Sequence, residues 1–550
     1  MSDIIKLVNL MENISILVPI MLALAYIFVF YASGVIILEL IKFKTKNPFA
    51  SIAAGFFSYF TFISIFTFPL QLISVLPYVF FIYFLWSITI VYIIFCIVFA
   101  KYWLSLNFLN KNLIIFLFVF LILGVVCYFE YKVLNTTSEF SRHKNILSIL
   151  SWLKDNPVSF FNNATLFNFL GFRPFQGWYT FELALLMLTS AQSYQYQDVL
   201  IPFTFIIDIV LCASIFITMF ESFEKTFSKT NKFILLLVSL FTFTITKVGF
   251  IYLNDNFWTG DTIFSYLIFY VIILSLRYTT LNYRERKVPI FIGLVMGGYI
   301  SFAWNSSYQV LFIIYCILFI IQKKYSQNFT KDFLKISLFA IVDLVFFNLV
   351  SKYYLQTILF AALFLLLIVT SYFMSKRYAA VVKFETFVDR RINLVTLILP
   401  LGFMIVSIAM ALKNNKSFVD PQESYLNFLY VWTSFSSNDV LRFWVTFVVA
   451  ISILVISFIW IFIRKKFKIN ILSAVVDLVL INYLTFYNPI VVRFINLIYP
   501  MMSQSNGLIM IVEGAVLINV LAYWCFNKIE NKKQNNKGIK IIKNFNWLKL

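Results

Sequence analysis

Five ionisable side chains interrupt long apolar runs of this chain: Asp208, Lys247, Asp343, Asp477 and Glu513. A charge at membrane depth is expensive, so each is a functional candidate by default; the competing reading is that they pair with one another or line a wet cavity without acting on a substrate. Asp208 and Lys247 fall on adjacent predicted helices and could form such an acid–base pair.

A second set gathers in the polar stretches between the apolar runs: Glu139, Arg142, His143 and Lys144 in "SEFSRHK", then Asp155, Arg173, Glu182, Asp255, Asp261, Asp420, Glu423, Asp439 and Arg493. A carboxylate there could deprotonate a sugar hydroxyl, and a neighbouring Arg or Lys could hold a lipid-linked phosphate through charge-assisted hydrogen bonds. Glu139 and Glu182 are the candidate catalytic bases; Arg142, His143, Arg173 and Arg493 are the candidate phosphate or substrate contacts. Arg493 falls in "FYNPIVVRFINLIYP", an apolar segment too short to cross a membrane and return. It reads equally as part of an amphipathic outer-face helix or as an anion contact in a cavity.

Other chemistries lose their usual support. His143 is the only histidine, which rules out a multi-histidine zinc site, and a lone His in a basic loop is more often solvated than catalytic. No G-x-x-x-x-G-K-[ST], G-x-G-x-x-G or G-x-S-x-G signature occurs. Cys96, Cys127, Cys212, Cys316 and Cys525 lie in apolar segments without paired spacing, so they propose neither a disulfide framework nor a metal site, and no cofactor is called for.

The elements that must hold these residues are membrane helices. Of 550 residues, 61% are hydrophobic and 12% charged, and the mean hydropathy is +0.89. Apolar runs of the roughly 20 residues needed to cross a bilayer recur throughout, so the fold class is all-α, polytopic and integral to the membrane, with about 13 to 15 helices. The net charge of +20 would suggest nucleic acid in a soluble protein. Here it reads as cytoplasmic anchoring, because Lys and Arg collect in short loops at 42–46, 101–111, 225–232, 277–287, 323–335, 376–391 and 464–468.

With those loops inside, the expected spans are 14–41, 50–70, 77–100, 113–130, 199–220, 233–253, 262–277, 288–304, 307–322, 333–351, 354–375, 393–412, 444–464, 470–487 and 507–526. The N-terminus is then outside, the C-terminus cytoplasmic, and the first run a retained helix rather than a cleaved signal. Residues 1–526 form one transmembrane domain with outer loops at 131–198 and 413–443. Residues 527–550 form a basic tail anchored inside with some contact to anionic lipid.

The segment 178–195, "WYTFELALLMLTSAQSYQ", is helical in pattern but short for a crossing, and a crossing there would put later basic loops out of step. It is expected as a re-entrant or interfacial helix on the outer face, with Trp178 and Tyr179 at the membrane interface. The turn-rich "FNFLGFRPFQG" before it, residues 167–177, is its entry. No internal repeat of fixed period is visible, nor are the paired half-helices of many secondary transporters.

Two regions together carry a resemblance. "GFRPFQGWYTFELALLMLTSAQSYQYQDVLIPF" after an outer loop, and "YNPIVVRFINLIYP" near the end, resemble a bacterial polytopic membrane family, the domain of unknown function numbered 6077, whose architecture is similar to the GT-C glycosyltransferases. Gln197, Asp198 and Pro202 match its link and next span, and Asn488 to Ile490 its turn. In two places the chain departs from the pattern: "TTSEFSRHK" leaves Glu139 as the only carboxylate where an acidic pair is expected, and "SQSNGLIMIVEG" replaces an aromatic–Arg element.

The resemblance implies sugar transfer from a polyprenyl-phosphate-linked donor to a cell-envelope glycan on the outer face of the bacterial plasma membrane, by a divergent or inactive member. A divalent metal is optional there. The expected partners are membrane lipid, the polyprenyl-phosphate-linked sugar and glycan-assembly proteins, and not nucleic acid. The competing readings are a transporter or flippase of lipid-linked oligosaccharide using the intramembrane charges, a polysaccharide polymerase, and a non-catalytic subunit of a glycan-assembly complex.

Overall fold

The computed structural model describes residues 2–43, 45–73, 77–104, 111–134, 177–189, 196–223, 229–254, 260–280, 287–302, 331–339 and 513–530, with scattered positions between 358 and 476. Helix dominates, and no strand occurs among the described residues. The helices are α1 (Ser2–Leu40), α2 (Ser51–Ile73), α3 (Val79–Val98), the short α4 (Ala100–Leu104), α5 (Lys111–Leu134), α6 (Gly177–Leu188), α7 (Tyr196–Phe223), α8 (Lys229–Asn254), α9 (Gly260–Thr280) and α10 (Val288–Gly297). Residues 331–339 and 513–530 are also helical.

Among the described residues, six helices are long and apolar enough to cross a membrane: within α1, α2, α3, α5, α7 and α8. The chain is a multi-pass membrane protein. The helices fall on the expected spans, most running a few residues beyond them. α10 is the exception: expected over 288–304, it ends at Gly297 and tightens into a 3-10 turn, Gly298–Ser301. The spans expected at 307–322, 354–375, 393–412, 444–464 and 470–487 lie almost wholly outside the described residues.

Burial sorts the helices into layers. In α9, every residue from Thr262 to Arg277 is buried, as expected for a helix apolar all round. α2 and α7 are nearly as enclosed. α3, α5 and α8 are peripheral and show outward apolar stripes at helical spacing, such as Ile114, Leu117, Leu121 and Val125 on α5 and Phe233, Leu237, Phe241 and Ile245 on α8. Such stripes suit lipid.

Lipid tails are as apolar as leucine, so helices in a membrane associate through close packing and polar contacts rather than water exclusion. The crossing of α1 and α2 is built this way. A Cβ on Gly34 would lie 1.9 Å from the Ser51 carbonyl oxygen, and one on Gly55 1.9 Å from that of Phe30. Only glycine lets these backbones approach so closely.

The start of α2 is fixed by its sequence. Asn47 Oδ1 accepts from the Phe49 N–H at 3.0 Å and Pro48 opens the first turn. Ser214 on α7 takes up the Ala53 N–H at 2.9 Å, one of the donors a helix start leaves without an intrahelical partner.

Among the described residues, the basic stretches around Lys46, Lys111, Lys232, Arg277 and Lys287 meet at one end of the bundle. Asn47 Nδ2 donates to the Asn112 carbonyl at 3.2 Å, and Asn112 Nδ2 to the Lys46 carbonyl at 3.0 Å. Glu221 at the end of α7 accepts from the Asn47 N–H at 2.5 Å and pairs with Arg277 near the end of α9 at 3.4 Å. Arg277 stacks over Phe43 at 4.5 Å, Lys287 donates to the Leu40 carbonyl at 3.0 Å, and Asn231 near the start of α8 meets Glu530 at 2.7 Å. Among the described helices, this end closes α1, α7 and α9 and opens α2, α5, α8 and α10, the alternation expected from charge.

Candidate functional site

Asp208, Lys247 and Cys127 form a charged cluster inside the bundle. Lys247 Nζ lies 2.5 Å from Asp208 Oδ2 and 2.6 Å from Cys127 Sγ, while the Cys127 thiol stands 3.5 Å from the same Asp208 oxygen. Cys212, one turn beyond Asp208 on α7, approaches its other oxygen at 3.9 Å, and Tyr266 on α9 interacts electrostatically with Lys247. The Lys247 side chain is 0% exposed and that of Asp208 9%.

Four helices contribute because each meets the others about this depth. Asp208 is near the middle of α7, whereas Lys247, Cys127 and Tyr266 lie roughly 10 Å short of the ends of α8, α5 and α9 that face away from the basic loops. An isolated charge here would be untenable. The pair and its thiols satisfy one another in a medium without water.

A polar seam leads from this cluster along α8. Asn231, Ser239, Thr242, Thr246 and Lys247 are all buried, on the face opposite the lipid-facing stripe. Asn519, in the helical residues 513–530, donates to Thr242 Oγ1 at 2.8 Å, and Glu530 accepts from Asn231 at 2.7 Å. Asn231 to Thr242 and Asn519 to Glu530 span the same number of residues. The two helices therefore run antiparallel in fixed register, and that register sets buried Glu513 at the level of Lys247. Among the described residues, Ser239 Oγ and Asn519 Oδ1 have no hydrogen-bond partner.

Glu182 belongs to a second place. α6 has twelve residues and is buried from Gly177 through Leu186. Trp178 and Tyr179, expected at the membrane interface, are 1% and 3% exposed. Trp178 instead packs among Phe60, Phe181 and Phe302 in the core. The packing of two helices around Gly177, where a Cβ would meet Ser301 Oγ at 2.6 Å, draws α6 inward. Thr180 shares a 2.7 Å hydrogen bond with Tyr78 at the start of α3, and Glu182 is 0% exposed.

The sequence-derived pairing of Asp208 with Lys247 is what the geometry has, and Glu513 joins them in depth. Glu139, Arg142, His143, Arg173, Asp343, Asp477 and Arg493 lie outside the described residues. Sequence reasoning gave the cysteines no role, yet Cys127 and Cys212 converge on Asp208. The i, i+4 spacing of Asp208 and Cys212 was the available signal. It also missed Glu221, whose position in the last turn of α7 before a basic loop marks it as a partner for a cation. No family model, curated protein or solved structure matches the chain.

Proposed function

We propose that this multi-pass membrane protein is a GT-C-like glycosyltransferase that moves a sugar from a polyprenyl-phosphate donor to a cell-envelope glycan at the outer face of the bacterial plasma membrane. The observation that carries the reading is α6. A twelve-residue helix of about 18 Å cannot cross a hydrocarbon core of about 30 Å. It is nevertheless packed into the bundle, away from the basic loops, and brings a fully buried carboxylate with it. A carboxylate at that depth is a candidate for function by default. In this reading Glu182 or Glu139 accepts the proton of the acceptor hydroxyl, and Arg142, His143, Arg173 and Arg493 hold the donor phosphate.

The second reading, a flippase of lipid-linked oligosaccharide, draws its support from the Asp208–Lys247 cluster. Surface glycans and lipid-linked intermediates in a deletion strain and in Glu139→Gln and Glu182→Gln strains separate the two. The transferase reading expects an unmodified acceptor in the deletion strain and in at least one variant. A fully built oligosaccharide retained on the inner leaflet would favour the flippase, and unchanged glycans in every strain would sink the transferase.

A further inference from the structure

We propose that the Asp208–Lys247 pair, with the polar seam of α8 beneath it, is a proton-transfer site whose seam leads from the far half of the bundle toward its basic end. This is a further activity, independent of sugar transfer. An ion pair that only fastened two helices would need an acid and a base. Here two thiols also touch the acid, and one of them, Cys127, bridges acid and base. The titratable groups about the pair are Cys127 from α5, Cys212 from α7, Tyr266 from α9 and, at the level of Lys247, Glu513, and each can give or take a proton.

The pair can exchange protons without changing its net charge. A proton adds to the Asp208 carboxylate, which keeps the small exposure that Lys247 lacks. The Lys247 ammonium, having lost its counter-charge in a low-dielectric site, releases a proton toward the seam. Transfer of the Asp208 proton to the Lys247 amine, directly or across Cys127, restores the ion pair, so one proton has entered and one has left. Thr246, Thr242 and Ser239, with Asn519 bonded to Thr242, place buried hydroxyl and amide groups along about two turns of α8 beyond Lys247, and Asn231 with Glu530 stands about two turns further on, at the basic end. Ser239 Oγ and Asn519 Oδ1 supply the open hydrogen-bonding positions that water in such a path requires.

The test uses the full chain reconstituted in lipid vesicles loaded with a pH-sensitive dye, under an imposed pH gradient with a potassium ionophore clamping the voltage. Wild-type vesicles are expected to pass protons at least about tenfold faster than protein-free ones, and Asp208→Asn to remove that excess. The double variant Thr242→Val/Asn519→Leu, which leaves the ion pair intact, is expected to lower the rate about tenfold, with folding checked by thermal melting. A wild-type rate equal to that of protein-free vesicles overturns the proposal without any variant having to fold, and so does an undiminished rate in the folded double variant. Neither outcome bears on glycan transfer.

Discussion

Removing Lys247 alone leaves the Asp208 carboxylate buried beside two thiols with no cation. Lys247→Met and Asp208→Leu are each expected to cost about 3–5 kcal/mol, because each strands a buried charge. The double variant should recover most of that loss. Thermal melting of the three proteins in detergent measures it, and losses that simply add would mean that the side chains do not act as a pair. The sequence made this pairing legible because both residues interrupt otherwise apolar helices that follow one another along the chain. Of the thiols only Cys212 was legible, through its i, i+4 spacing from Asp208; Cys127, on a helix distant in sequence, looks the same whether it packs against leucine or against a carboxylate. Glu182 was legible as a candidate from its charge. Its complete burial was not, since that depends on Ser301, Ile63 and aromatic residues of α1, α2 and α7 closing around α6.

Between elements, closeness of approach decides what is tolerated. Gly34→Ala and Gly55→Ala place a Cβ against a backbone oxygen that cannot turn aside, so each is expected to destabilise by at least about 1–3 kcal/mol, the ordinary cost of overpacking. Gly124→Ala is the contrast. Its Cβ would meet Ile209 Cδ1 at 3.8 Å, an ordinary contact, and melting should be close to that of the wild type. The end of α1 offers the opposite case. Lys42 has φ 59° where the chain turns back, with the Phe43 N–H bonded to the Leu38 carbonyl and the Lys42 N–H to that of Glu39. This is the helix-ending arrangement that favours glycine, so Lys42→Gly should stabilise by about 1 kcal/mol in the same assay. Helix positions were readable in the sequence because length and hydropathy fix them. The α1–α2 crossing was not, because a glycine inside an apolar run signals close approach without naming the partner.

For the whole molecule, charge predicts the sidedness and the structure supplies the common end. Lys46 and Lys287 are exposed at the end where Glu221, Arg277 and Glu530 also lie. In a cysteine-free background, Lys46→Cys and Lys287→Cys are expected to react with an impermeant thiol reagent only after permeabilisation, and Asp155→Cys in the outer loop in intact cells. Labelling of Lys46→Cys and Lys287→Cys from different sides would break the topology. The labelling expected here would put α6 and Glu182, which lie away from the basic end, toward the outer leaflet, where the sugar-transfer reading needs a base.

The measurement that tests that reading most directly is release of polyprenyl phosphate, with transfer of the labelled sugar, by purified full-length protein given a polyprenyl-phosphate-linked donor and cell-envelope acceptor. Wild-type protein is expected to release it well above the protein-free rate, and Glu182→Gln, which keeps the side chain's size, to be slower by about a hundredfold or more, as loss of a general base entails. Equal release with and without wild-type protein, or undiminished release by Glu182→Gln, would contradict the assignment of α6 as the catalytic element.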